Sequence, residues 1–130
     1  MPPELGKILV VDDEPPLLRM MGLYLGRVGF SVSTANTTDA AWKLVEADPA
    51  AYSVAVLDGS MTGMPMADLA ARLLQANGEL RVLAASGYPV DLADLSKMAP
   101  GRVAFLQKPF TPDMLVTALR GLLGTQKEEL

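Results

Sequence analysis

Five short apolar runs, each followed by a stretch with helical spacing, organise this chain of 130 residues. Lys7-Ile8-Leu9-Val10-Val11 is nearly continuous and apolar, as expected of a strand covered on both faces. Asp12-Asp13-Glu14 ends it, and Pro15-Pro16 opens a helix predicted to run to about Val28. Leu18, Met21, Leu25 and Val28 recur on the inner face of that helix, and Gly29 is its expected stop. Gly22 and Gly26 lie within it, each costing about 1 kcal/mol relative to alanine. Their spacing of four marks either a close packing contact or simply a weakened surface face. Phe30-Ser31-Val32-Ser33-Thr34 alternates apolar and polar positions, the pattern of an edge strand. Thr37-Thr38-Asp39 opens a second helix carrying Ala40, Ala41, Leu44 and Val45, which Asp48-Pro49 ends.

A central strand is predicted over 53–57, and Asp58-Gly59 is the turn that ends it. A loop to Pro65 leads into a helix over 66–76, closed by Asn77-Gly78. The fourth strand covers 81–85 and stops at Ser86-Gly87-Tyr88-Pro89. A short helix over 90–98 follows, then a fifth strand over 102–106 that runs into Gln107-Lys108-Pro109-Phe110. Thr111-Pro112-Asp113 begins the last helix, expected to reach about Leu123. Strand and helix thus alternate five times with short connections. That predicts an α/β class chain, doubly wound around a five-stranded parallel sheet. The expected division is an N-terminal extension over 1–6, one domain over 7–124 and a polar tail over 125–130.

Half of the residues are apolar, which suits one domain with a sizeable core. The apolar runs are far shorter than the ~20 residues that a membrane span needs, and the start lacks the pattern of a secretory signal. A cytoplasmic location is therefore the default expectation. The net charge is −4, with lysines and arginines scattered singly, which argues against direct nucleic-acid binding. There is no cysteine, so disulfides and thiolate metal sites are excluded. There is no histidine either, which removes histidine-based catalysis and histidine-ligated metals.

In open α/β sheets, ligands bind beyond the carboxyl ends of the strands. This sequence places Asp12 and Asp13 after strand one, Asp58 after strand three, Ser86 after strand four and Lys108 after strand five. Taken singly, Asp12-Asp13 also reads as a helix cap, Asp58-Gly59 as an ordinary turn and Ser86 as a turn serine. Together they make a coherent set. Three converging carboxylates would repel by ~1 kcal/mol per pair at ~4 Å in water, and by ~4 at an intermediate dielectric. Such a cluster takes up protons or holds a cation. Oxygen-only ligands with phosphate chemistry favour Mg²⁺. A serine nucleophile would need a base that the chain lacks, whereas an aspartate is already ionised at neutral pH. Asp58 can attack an activated phosphorus directly, with Ser86 and Lys108 binding the phosphoryl oxygens.

These residues resemble a response-regulator receiver domain of two-component signalling. The resemblance rests on Ile8-Leu9-Val10-Val11-Asp12-Asp13-Glu14-Pro15, on Val56-Leu57-Asp58 with Met61 three residues on, on Ser86-Gly87-Tyr88, and on Phe105-Leu106-Gln107-Lys108-Pro109-Phe110. It spans about residues 6–123. The resemblance implies a flavodoxin-like receiver fold with strand order 2-1-3-4-5. It implies that Asp58 accepts a phosphoryl group from a phosphohistidine of a sensor histidine kinase or histidine phosphotransfer protein. Asp13, Asp58 and the backbone carbonyl of Ser60 would bind Mg²⁺ directly, with Asp12 acting through water. Ser86 and Lys108 would complete the catalytic set, and Phe105 would be the aromatic switch that answers Ser86. It further implies a cis Lys108-Pro109 peptide, a readout face of the fourth helix, fifth strand and fifth helix, and a phosphorylation-dependent homodimer as one assembly. The activity would be limited to the domain's own phosphorylation and dephosphorylation.

The sequence departs from the family pattern after the aspartate. Met61 is followed by Thr62 rather than proline, and Pro65 and Met66 replace acidic and glycine positions. Met61, Met64 and Met66 make this loop apolar, either as a soft docking surface or as core filling. Tyr88 is a candidate to shield an acyl phosphate from water. The Ser86-Gly87-Tyr88-Pro89 stretch resembles receivers attached to hybrid sensor kinases. Rival readings are an aspartate-nucleophile phosphatase, which would want a second acid where Ser60 stands, a flavin-binding module, and a receiver-shaped domain that is never phosphorylated.

Overall fold

A computed structural model of the chain describes residues 7–59 and 63–127, the last four of these by backbone alone. Five strands form one sheet: β1 (Lys7–Val11), β2 (Ser31–Ala35), β3 (Tyr52–Asp58), β4 (Arg81–Ser86) and β5 (Val103–Gln107). Their order is β2-β1-β3-β4-β5 and every pairing is parallel, as the sequence pattern and the resemblance predicted. The helices are α1 (Pro15–Arg27), α2 (Thr38–Ala47), α3 (Met66–Ala76), α4 (Ala93–Met98) and α5 (Pro112–Lys127). No described helix is long and apolar enough to cross a membrane.

Side chains alternate across a strand, so each apolar run feeds two cores. Leu9, Val11, Ala55 and Leu57 join one core with Ala41 and Val45 of α2 and Leu69 and Leu73 of α3. Ile8, Val10, Val54 and Val56 join the other, beneath Leu18, Met21 and Leu25 of α1 and Leu115 and Leu119 of α5. This double coverage is why β1, β3 and β4 read as unbroken apolar runs. β2 and β5 are the edges, and both are less buried.

Several local expectations shift. Gly29 does stop α1, with φ at 106°, a conformation that favours glycine. Within the chain, Gly22 and Gly26 serve no close contact. A Cβ at Gly22 would meet Thr34 at an ordinary 3.9 Å, and one at Gly26 would meet nothing within 4 Å. Leu44 is exposed rather than inward, because the buried stripe of α2 is Thr38, Ala41 and Val45. A 3-10 turn over Pro49–Ala51 precedes β3. α4 begins at Ala93, since Val90 and Leu92 pack onto the core from the loop before it. α5 continues to Lys127, past the expected end at Leu123.

Candidate functional site

Strand register brings the chemistry together. Val11 pairs with Leu57, so Asp12 and Asp58 leave the sheet at the same height. Asp58 pairs with Ala85, which sets Ser86 one residue further on, and Ser86 pairs with Gln107, which does the same for Lys108. Asp12 and Asp58 follow Val10 and Val56 by two positions, so strand alternation sends both to the α1–α5 side of the sheet.

Asp12 has two attachments. Its Oδ1 accepts a hydrogen bond from Glu14 N at 3.0 Å, which turns the chain into α1. Its Oδ2 lies 3.0 Å from Lys108 Nζ. The cap of α1 is Glu14, with no side-chain cap bond, so Asp12 shapes the turn before the helix with one oxygen and meets Lys108 with the other. Lys108 Nζ also lies 3.2 Å from Asp58 Oδ1, so one ammonium bridges acids from neighbouring strands. Asp12 and Asp58 are buried, Asp58 to 4% exposure, while Asp13 is exposed. Burial disfavours the charged form of Lys108. The hydrogen bond to Asp12 and the charges of Asp12 and Asp58 outweigh it, and hold the ammonium above its ordinary pKa.

Oxygen atoms of Asp12, Asp13 and Asp58 all lie within 4.8 Å of one another. At ~5 Å, each pair of like charges repels by roughly 3 kcal/mol at an effective dielectric of ~20. With Lys108 counted, two net negative charges remain in the pocket. A hard divalent cation answers both features, and the donor set is oxygen only, as Mg²⁺ prefers. One exposed acid beside two buried ones gives such an ion a way in from solvent. The fit to a metal is therefore good.

Ser86 ends β4 and is buried. Its Oγ accepts from Tyr88 N at 3.1 Å, and its carbonyl accepts from Lys108 N at 2.8 Å. The Lys108-Pro109 peptide is cis, as expected. Phe105 stands on the edge strand β5 with 37% of its surface exposed. Tyr88 is 72% exposed rather than folded into the molecule. Ser60, expected to lend its carbonyl to the metal, lies outside the described residues, as does Met61. Met66 is buried and Met64 packs against the core, so these two fill the interior rather than forming a docking surface.

Three supporting residues escaped the sequence reading. Thr38 Oγ1 accepts from Met64 N at 3.1 Å and anchors the far end of the loop that follows Asp58. Gln107 Nε2 donates to Gly87 O at 3.2 Å and ties the β4–α4 loop to the end of β5. Gly59 lies against Ser86. Thr38 carried a weak signal, a second threonine inside a helix start. For Gln107 and Gly59 the partner is 20 and 27 residues away, and nothing local points to it.

Residues 8–120 match the family model for the response regulator receiver domain. Among curated proteins, the chain is 30% identical over 116 residues to the probable transcriptional regulatory protein TcrX of Mycobacterium tuberculosis. That match covers 89% of this chain and 49% of TcrX, and the chain spans from 24% to 60% of the length of the curated relatives it matches. Among solved structures, a CheY-like response regulator receiver domain protein from Methanospirillum hungatei superposes with a TM-score of 0.82 at 22% identity, covering 96% of this chain and 98% of that one. The receiver domain of the hybrid histidine kinase CckA superposes with a TM-score of 0.77 at 24% identity, covering 91% and 99%. At these identities the structural matches speak for the fold.

Proposed function

This chain belongs to the response regulator receiver domain family, and from that premise we propose that it is a phosphoacceptor module of a two-component phosphorelay. The observation that carries the reading is the buried Asp58 carboxylate, set beside Asp12 and Asp13 with Lys108 Nζ 3.2 Å away. An oxygen of Asp58 attacks the phosphorus of a phosphohistidine in line. The P–N bond breaks, its electron pair returns to the imidazole of the donor, and an acyl phosphate forms on Asp58. Catalysis of this kind is mainly positioning and charge stabilisation.

Asp12, Asp13 and Asp58, with the Ser60 carbonyl, would hold Mg²⁺, which supplies screening of the incoming negative charge. Lys108 exchanges its contact with Asp58 for one with a phosphoryl oxygen, and the Ser86 hydroxyl donates to another. Phe105 then responds to the displacement of Ser86. The partner is a sensor histidine kinase or a histidine phosphotransfer protein, and the compartment is the cytoplasm. The state is read on the face of α4, β5 and α5. The domain is taken to span 7–124, catalysing only its own phosphorylation and dephosphorylation.

The test is incubation with acetyl phosphate and Mg²⁺, followed by intact-mass measurement. The protein should gain the mass of one phosphoryl group, Asp58→Asn should gain none, and chelation of Mg²⁺ should abolish the gain. A well-folded protein that stays unmodified would leave the receiver-shaped interaction domain as the better reading.

A further inference from the structure

Gly59, immediately after the candidate phosphoacceptor, is a glycine without a backbone reason. The positive-φ glycines among the described residues are Gly29, Gly63 and Gly101. Gly59 is not one of them, so its φ does not itself call for glycine. Its N–H continues the β3–β4 ladder, donating to Ala85 O at 2.8 Å.

Space supplies the reason instead. A Cβ on Gly59 would stand 3.1 Å from Ser86 Cβ, 3.3 Å from Ser86 Oγ and 3.6 Å from Ala85 O. The first two distances fall inside the ~3.5–4.0 Å of a comfortable contact. Ser86 cannot withdraw easily. It is paired with Gln107, its carbonyl is held by Lys108 N at 2.8 Å and its hydroxyl by Tyr88 N at 3.1 Å. A methyl group at 59 would therefore turn or displace the Ser86 side chain. The three atoms nearest to that Cβ belong to Ala85 and Ser86, none to Asp12, Asp13 or Lys108.

We propose that Gly59 is a positioning residue for Ser86. Its missing side chain keeps clear the space in which the serine hydroxyl rests at the end of β4 and from which it turns onto a phosphoryl oxygen. This rests on Asp58 being the phosphoryl acceptor. The atoms that a Cβ at 59 would crowd belong to Ser86 and not to Asp12, Asp13 or Lys108, so phosphorylation and metal binding should separate.

The experiment is a double-mutant cycle on the full chain with Gly59→Ala and Ser86→Gly, which removes the two atoms that the new methyl would crowd and leaves the ordinary contact with Ala85 O. Phosphorylation by acetyl phosphate with Mg²⁺ is followed by intact mass, Mg²⁺ affinity by calorimetry and folding by thermal denaturation. Gly59→Ala alone should slow phosphorylation about tenfold, the order of one misaimed charge-assisted hydrogen bond. With Ser86→Gly already in place, it should slow the reaction less than about twofold further. Mg²⁺ affinity should not change. Equal slowing in both backgrounds, no slowing with Ser86 present, or a fall in Mg²⁺ affinity would each overturn the proposal. If Gly59→Ala fails to fold, the double variant should regain a folded state, and its failure to do so would also overturn it. A folded parent that takes no phosphoryl group sinks the phosphoacceptor reading and this inference with it. A phosphorylated parent with an uncoupled cycle sinks this inference alone.

Discussion

Lys108 Nζ lies 3.2 Å from Asp58 Oδ1, and the contact occupies the acid proposed to react. The same ammonium is 3.0 Å from Asp12, so it already performs part of the neutralisation that a metal ion would. Lys108→Met removes that cation and leaves three acids to one another. Unit charges ~5 Å apart interact by about 3 kcal/mol at an effective dielectric of ~20. The Lys108 side chain is 20% exposed, and solvent screening reduces this. Mg²⁺ should bind roughly tenfold more tightly to Lys108→Met, measured by calorimetry, while acetyl phosphate should modify it more slowly than the parent. Weaker Mg²⁺ binding in the variant would show that Lys108 orders the acids instead of competing for them.

Tyr24 and Asp113 join α1 to α5 through a hydrogen bond of 2.7 Å from the phenol to Oδ1. The bond needs the phenolic proton. It, desolvation and the charge of Asp113 raise the Tyr24 pKa above 10.0, against the opposing charge of Arg120. The neutral phenol is the form that bonds, so this contribution to stability is fully present below the ordinary phenol pKa. It is lost as pH rises through the raised value. Ultraviolet titration should show the Tyr24 phenol ionising at higher pH in the parent than in Asp113→Asn. An unchanged titration curve would mean that the bond does not persist in solution.

The features legible in the sequence are those whose placement follows directly from a strand end. Asp12, Asp58, Ser86 and Lys108 each sit at or within one residue of the end of a strand, and parallel register does the rest. Features that depend on a distant partner were not legible. Leu44 matches helical spacing as well as Val45 does, and only the placement of α3 decides which is covered. Val90 and Leu92 looked like the start of a helix because apolar loop residues and apolar helix residues read alike. Arg102 looked like the first residue of a strand; it precedes β5, and its side chain reaches three carbonyls that nothing local in the sequence points to.

Arg102 holds the end of the molecule opposite the acid cluster. Its guanidinium donates to Leu80 O at 3.0 Å, Leu74 O at 3.0 Å and Asn77 O at 2.7 Å, closing the C-terminal end of α3. Burial, and then the nearby charge of Arg81, lower its pKa, though an arginine stays charged. Arg102→Ala leaves three carbonyls without this donor and should cost about 2–3 kcal/mol in urea unfolding. Arg102→Lys, which lacks the planar fork, should recover less than half of that. Mg²⁺ affinity should be unaffected in both. A loss below ~0.5 kcal/mol for Arg102→Ala would mean that water replaces the guanidinium at little cost.

Phe105 tests the switch separately from the chemistry. Its ring lies on the edge strand, 37% exposed, and Ser86 fills its own place at the end of β4. If the serine moves toward a phosphoryl group, it vacates volume on the side facing β5, and the ring can bury its exposed part. At ~25 cal/mol per Å², covering tens of Å² of ring gains on the order of 1 kcal/mol, enough to bias two orientations several-fold. Beryllofluoride with Mg²⁺ should therefore reduce the accessibility of the Phe105 ring protons to a paramagnetic quencher in NMR. Ser86→Ala should blunt that response, because the hydroxyl that follows the phosphoryl mimic is gone. Phe105→Ala should still be phosphorylated at close to the parent rate, since the ring contributes no donor to the site. A ring equally accessible before and after beryllofluoride binding would remove Phe105 from the switch and leave the phosphoacceptor reading in place.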